Sequence, residues 1–307
     1  MFFMPYRIDA NRNGLPFLTV LICLLCTFVY WQQYSIDKQY YASIEKFCLQ
    51  DLSKREVAWL NRVPMDFAGN SCGLVLEAIR DADNADAEIA RMASRAKPVK
   101  LFTSKQDNIA HVEKQLSEIY RKFERDVPEH LTSDLAYDPH DLDVVKMVTA
   151  TFSHGSAMHL AGNLLFFYIF AASVEIVFGW LVFLGFIAVS TFGTSLAYSY
   201  AMAGVDSALP TVGLSGVVMA AVAALAIMMP TVRIRCFFWF IVIFRILRVP
   251  ALLLAAWYIG WDIYEMNQLD NKSLINYVAH VSGAGIGAAF GAWYVVFRSK
   301  MLQEIAL

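Results

Sequence analysis

Thr211-Val-Gly-Leu-Ser-Gly-Val-Val-Met219 opens an apolar run that reaches Met229. Ser215 sits between Leu214 and Gly216, with Gly213 two residues before it. Small residues in such a run have an ordinary role, because they let helix backbones approach closely in a membrane. Two distant stretches ask for more. Ala279-His-Val-Ser-Gly-Ala-Gly-Ile-Gly287 puts His280 at the start of the last apolar run. His159-Leu-Ala-Gly-Asn163 opens the second long one. Polar groups at the ends of three separate apolar segments need a shared explanation.

The composition supplies the setting. Of 307 residues 58% are hydrophobic and the net charge is −2, too apolar for an ordinary soluble domain. The apolar residues fall in blocks of about 17 to 25, the length that crosses a bilayer as helix. Charge is concentrated in residues 34–145, with 20 acidic and 15 basic side chains. This pattern predicts an all-α polytopic membrane protein with one helical, soluble insertion. No basic run points to nucleic acid, and no glycine-rich phosphate loop or internal repeat is present.

Arg7 and Arg12 precede the first apolar run, Leu15 to Trp31. Its exit, Val29-Tyr-Trp-Gln-Gln-Tyr34, is bulky where signal-peptide cleavage needs small residues. The run therefore reads as an uncleaved first membrane helix with a cytoplasmic N-terminus. In the charged block, apolar spacings of three and four predict helices near Tyr40–Trp59, Leu74–Arg95 and Lys105–Phe123. Asn70-Ser71 and Thr103-Ser104 are candidate helix starts, and Pro128 and Pro139 mark an irregular return to the membrane. Cys48 and Cys72 can pair if this block meets an oxidising compartment. Cys23, Cys26 and Cys236 read as small apolar fillers.

Membrane helices follow at Met158–Phe178, Leu181–Met202 and Ser215 to about Pro230, with a loop carrying Asp206 and Pro210 before Ser215. Arg245 and Arg248 would be costly in mid-membrane, so Cys236–Arg248 belongs at the cytoplasmic interface. A fifth helix runs from Val249 to Trp261, Asp262, Glu265 and Asp270 form an acidic outer loop, and a sixth spans Tyr277 to Phe297. Six spans with both termini inside satisfy the positive-inside rule. The resulting domains are 1–33 (first helix), 34–145 (insertion) and 146–307 (helices two to six).

Parity then brings the motifs together. Helices two, four and six all enter from the outer face, so His159, Ser215 and His280 share one depth. A serine hydroxyl needs a base within hydrogen-bond reach to act as a nucleophile, and His280 is the histidine placed to serve it from a facing helix. His159 and Asn163, four apart on one helix face, can donate to an oxyanion together with the Ser215 amide. Gly283, Gly287 and Gly291 form a stripe on helix six along which another helix can approach closely, and helix four in that place would bring Ser215 and His280 together.

The set Gly213-x-Ser215-Gly216, His280 ahead of Gly283, Gly287 and Gly291, and His159-x-x-x-Asn163 resembles the rhomboid family of intramembrane serine proteases. His154, Glu175 and Gly260-Trp-Asp262 are similar to its pattern. The resemblance covers 146–307 closely and helix one loosely. It implies a six-helix bundle with Ser215 as nucleophile and His280 as general base, in a dyad without a third carboxylate. His159, Asn163 and the Ser215 amide would stabilise the oxyanion. It implies no metal or cofactor. Substrates would be membrane proteins, often single-pass, cut in or near a transmembrane segment inside the lipid bilayer. Bacterial members suggest an inner membrane with the site facing the periplasm. Three features depart from the pattern. No Trp-Arg dipeptide occurs, the 34–145 block replaces a compact loop, and Met219 stands where an aromatic residue often stacks on the histidine.

Two other classes compete with a protease. A non-catalytic rhomboid-like binder of transmembrane clients typically lacks the serine or the histidine, and this chain keeps both. A small transporter would show paired broken helices or inverted repeats, and neither is found.

Overall fold

No glycine or proline interrupts the chain between Phe17 and Asp51, and the first helix accordingly runs far past the apolar segment that begins it. In the computed structural model α1 spans Phe17–Lys46 and ends in a π-helical turn, Phe47–Asp51. The structure describes residues 2–9, 14–64, 71–82, 84–98, 104–205, 208–240, 243–268 and 275–305. Asn70, Thr103, Asp206 and Asp270 lie outside them.

The chain divides into two compact units. One comprises Tyr34–Leu131 and the other Met1–Gln33 with Thr132–Leu307. In the first, local capping breaks two of the helices that periodicity reads as continuous. The Tyr40–Trp59 pattern is interrupted by the π turn. It restarts as α2, Lys54–Leu60, where Ser53 and Glu56 form a reciprocal capping box. The Leu74–Arg95 pattern splits into α3, Ser71–Arg80, and α4, Ala85–Arg95, because Asn84 caps the Ala87 amide. Ser104 caps α5, Lys105–Asp126, from the predicted start. Leu60, Leu76, Ile79, Val112, Leu116 and Phe123 build this unit's own buried core. A Cys48–Cys72 disulfide ties the π turn to α3.

The other unit holds α6 (Leu131–Leu135, from its second residue), α7 (Val144–Phe152), α8 (Ala157–Phe178), α9 (Trp180–Met202), α10 (Ser215–Met228), α11 (Ala251–Gln268) and α12 (Tyr277–Ile305). Residues 132–143 are charged by composition but belong with these helices. Tyr137 exchanges backbone hydrogen bonds with Thr211 at 3.0 and 2.9 Å, and its hydroxyl lies 2.5 Å from Ser199 Oγ. Among the described residues four helices, beginning at Phe17, Ala157, Trp180 and Tyr277, are long and apolar enough to cross a membrane. α10 is shorter, and its 14 residues extend only about 21 Å.

The fold is mostly helical, with one addition to the all-helical expectation. A three-stranded antiparallel sheet in the order β1-β2-β3 joins β1 (Phe2–Asp9), β2 (Arg233–Phe240) and β3 (Ile243–Pro250). Read by hydropathy, Cys236–Phe244 is an apolar stub. Read by alternation, β2 has Ile234 and Cys236 on one face and Arg233, Arg235 and Phe237 on the other. Ile8, Ile234 and Cys236 are buried in the same core as α8 and α10.

Glu175 anchors α1 to α8. Its buried carboxylate accepts hydrogen bonds from Leu18 N (2.8 Å), Thr19 N (2.7 Å) and Thr19 Oγ1 (2.6 Å). The first turn of α1 has no intrahelical acceptor for those amides, so the carboxylate replaces a missing cap. Glu175→Ala strands three donors in an apolar setting. We expect it to lower stability by about 3 kcal/mol, measured as a drop in the thermal midpoint of the detergent-solubilised protein.

Candidate active site

The site is assembled around the entry to α10. Gly213 has φ +130°, a conformation L side chains rarely adopt, and its amide donates to Ala150 O at 2.8 Å. A Cβ there would lie 2.8 Å from His159 Cε1, 3.0 Å from His159 Nε2 and 3.5 Å from Asn163 Nδ2. Glycine is thus required twice over. The same contact shows that one face of α8 presents His159 and Asn163 to the loop two residues ahead of Ser215. Ser156 fixes the start of α8 by accepting from the His159 amide at 3.1 Å.

Asn163 is 6% exposed, and its Nδ2 has no hydrogen-bond partner among the described residues. Buried amides are nearly always paired, so a donor left unused beside Gly213 is available to something that enters the site. Ser215 is the first residue of α10. Leu214 precedes it and makes no side-chain cap, so the first-turn amides lack a side-chain acceptor.

α12 meets α10 backbone to backbone. A Cβ on Gly283 would collide with the Gly216 carbonyl, and one on Gly287 with the Ala220 carbonyl. One on Gly291 would sit 2.9 Å from Ala224 O. Each helix advances four residues per contact, so the glycine stripe of α12 runs along 216, 220 and 224 of α10. His280 lies one turn before Gly283, which places it level with the start of α10. The Ala279 carbonyl, its neighbour, lies 3.2 Å from a Cβ built on Gly216. A cavity of about 30 Å³, enough for a water, borders Ser215 between Gly213, Thr151, Thr194, Asn276 and Ala279.

His280 is held by a carboxylate. Its Nδ1 lies 3.0 Å from Asp262 Oδ2, with the two side chains 15% and 14% exposed. An ionised carboxylate only accepts, so Nδ1 carries the proton and the Nε2 lone pair is left for another partner. This corrects two expectations. Asp262 and Glu265 are not in an outer loop, because α11 continues to Gln268. The histidine is also not without a carboxylate. Hydropathy ends the fifth helix at Trp261 because Asp262 looks like a loop residue. The available clue was an acidic residue placed directly after an apolar run and shortly before the histidine.

Residues 141–297, just over half of the 307, match the Rhomboid domain family. The chain belongs to the rhomboid family. It is also similar to the Presenilin-associated rhomboid-like protein, mitochondrial, of Bos taurus, at 24% identity over 163 residues. That match covers 52% of this chain and 39% of the bovine protein, so the chain spans about two fifths of its relative's length. As a rhomboid-family protein with four helices suited to crossing a bilayer, it is an integral membrane protein.

The remaining sequence candidates sit differently in this rhomboid. The His154 ring packs edge-on against His159, with centroids 5.2 Å apart. Gln33 grips the His154 backbone, its Oε1 accepting from the amide at 3.1 Å and its Nε2 donating to the carbonyl at 3.4 Å. Gln33 gave no sign of this in sequence, being one polar residue in a polar exit from helix one. Met219 is buried, and the aromatic ring near His280 is Tyr277, edge-on with centroids 6.1 Å apart. Glu175 caps α1, three turns beyond Asn163 along α8, and takes no part in this cluster. Cys48 and Cys72 belong to the other unit.

Proposed function

We propose that this rhomboid is an intramembrane serine endopeptidase that cuts transmembrane or membrane-proximal segments of single-pass membrane proteins. What supports the reading is the Gly216–Gly283 contact of α10 with α12, which sets Ser215, at the start of α10, level with an Asp262-bound His280, beside the unpaired amide of Asn163 next to Gly213.

In this mechanism His280 Nε2 takes the proton of Ser215 Oγ as Oγ attacks the scissile carbonyl. The oxyanion that forms accepts hydrogen bonds from the Ser215 amide, Asn163 Nδ2 and His159. His280 then protonates the leaving amine, and a water activated by the same nitrogen hydrolyses the acyl-enzyme. Asp262 keeps the imidazole in the tautomer that presents Nε2 and stabilises its protonated form. It is a positioning residue for His280.

Six helices cross the bilayer in this reading, α10 and α11 among them, with both termini cytoplasmic and the site on the opposite side. α10 is about 21 Å long against a hydrocarbon core of about 30 Å, so Ser215 lies in a recess below the surface that water must reach. Residues 34–145 occupy the extracytoplasmic side, where oxidising conditions maintain the Cys48–Cys72 bond.

The test is cleavage of a panel of single-pass test proteins in proteoliposomes. We expect the wild type to release a soluble fragment and Ser215→Ala to release none. Equal release by both would overturn the assignment. Asp262→Asn is expected to lower kcat by about a hundredfold or more and to alter the pH profile of kcat, with KM little changed. A uniform loss with an unaltered profile would mean that Asp262 supports only the fold.

A further inference from the structure

The sheet at the other end of the bundle has no part in the chemistry above, and its outward face is unusual. Register places Arg7 opposite Arg235, and Arg235 opposite Arg248, so three arginines form one row across all three strands. Arg233 is two residues along from Arg235 on the same face and pairs with Asp9. Like charges directly opposite one another destabilise a sheet. Asp9 partly relieves this row, its carboxylate lying 2.6 Å from Arg235 Nε and 3.9 Å from Arg248 Nε. The outward face holds four arginines (7, 233, 235 and 248) and one acid, Asp9, which leaves three positive charges in excess, while Arg245, opposite Phe238, is on the other face. Among the described residues no second carboxylate pairs with them.

Farther from the helices the same face turns apolar. Phe237 pairs with Ile246 and Trp239 with Phe244. Trp239 and Phe244 stack with centroids 5.5 Å apart, yet they are 45% and 58% exposed, and Ile246 is 61% exposed. A contiguous exposed patch of this kind marks a contact surface.

The connections fix where this face lies. β2 follows the C-terminal end of α10, and β3 runs directly into α11 through the Ala251 N to Val232 O hydrogen bond of 2.8 Å. Ile8, Ile234 and Cys236 on the inner face are packed into the bundle core. The sheet is therefore fixed at the end of α10 opposite Ser215, where a membrane helix meets its lipid headgroups. Aromatic rings suit the lipid–water boundary, and arginine forks bind phosphate oxygens bidentately.

We propose that the outward face of this sheet is a binding surface for anionic phospholipids. Lipid phosphates sit on the Arg7–Arg235–Arg248 row, and Trp239, Phe244 and Ile246 cover the apolar part of the same lipid. Charge complementarity selects the occupant. Three excess positive charges beside an apolar patch fit a molecule with an anionic head and an apolar tail.

The test is native mass spectrometry of the full chain in detergent, titrated with phosphatidylglycerol or phosphatidylcholine of matched acyl chains. Each arginine near an anionic headgroup is worth about fivefold in affinity. We expect Arg7→Gln/Arg248→Gln to weaken phosphatidylglycerol binding about 25-fold and to leave phosphatidylcholine binding unchanged. That variant keeps the Asp9–Arg235 pair and the buried face. The double variant Trp239→Ser/Phe244→Ser provides a second reading, in which both lipids weaken together. Wild-type protein binding the two lipids equally would overturn the proposal, as would undiminished phosphatidylglycerol binding by both variants. Displacement of the lipid by equimolar inorganic phosphate would also overturn it, because the site would then read an ion and not a lipid.

Discussion

Ser215→Ala and His280→Ala are each expected to reduce proteolysis to background, about 10⁶-fold, and the double variant is expected to be no slower than either. The reason is that the two groups act as one. The hydroxyl is a poor nucleophile until a base takes its proton, and the imidazole has no other catalytic work once the hydroxyl is gone. The background that survives comes from substrate binding and the donors around Asn163, which both variants retain. Single-turnover cleavage in proteoliposomes, with protein amount normalised by folded fraction, measures this. If the losses multiply in the double variant, Ser215 and His280 act independently and the dyad is wrong.

Gly287→Ala is expected to damage the protein far beyond the usual effect of one methyl group, whereas Gly285→Ala, two residues away, is expected to be silent. The difference lies in what a Cβ meets. At Gly287 it would overlap the Ala220 carbonyl, and at Gly285 nothing lies within 4 Å. A clash with backbone cannot be relieved by a rotamer, so α12 must move away from α10. Overpacking a core by a methylene costs about 1–3 kcal/mol, and this contact belongs at or above the top of that range. The larger effect falls on activity. His280 is carried by α12 and Ser215 by α10, so a displacement of about 1 Å costs roughly a hundredfold in rate. Thermal unfolding in detergent and the cleavage rate, measured for both variants, test the two halves. Equal behaviour of Gly285→Ala and Gly287→Ala would contradict the packing described here.

Much of this site was legible before the fold. Ser215, His280, His159 and Asn163 stood out because each is a polar residue at the end of an apolar run, and the parity of the spans set them at one depth. The glycine stripe, read at a four-residue spacing, showed that another helix could approach closely, and the structure makes that helix α10. Asp262 was not legible, because hydropathy treats an acidic residue after an apolar run as the end of a helix. Nothing local records that α11 continues or that its next side chain faces His280. The sheet was hidden for a related reason. Arg7 lies more than 220 residues from Arg235, and strand pairing over that distance leaves only a weak alternation in each segment. Arg245 and Arg248 argued against a membrane span here without giving the strands that occupy the segment. In the charged block the helices at Tyr40 and Leu74 were read too long, because apolar periodicity continues through a π turn and through the Asn84 cap. Only the capping residues mark the breaks.

The central claim is that Ser215 is a serine activated by His280 inside the membrane. The most direct measurement is labelling of the full chain with a fluorophosphonate probe in detergent, located by peptide mass spectrometry. Wild-type protein is predicted to carry the probe on Ser215, with labelling lost in His280→Ala and slowed in Asp262→Asn. Folded wild-type protein that takes up no probe at Ser215, or His280→Ala protein that labels as fast as the wild type, would contradict it.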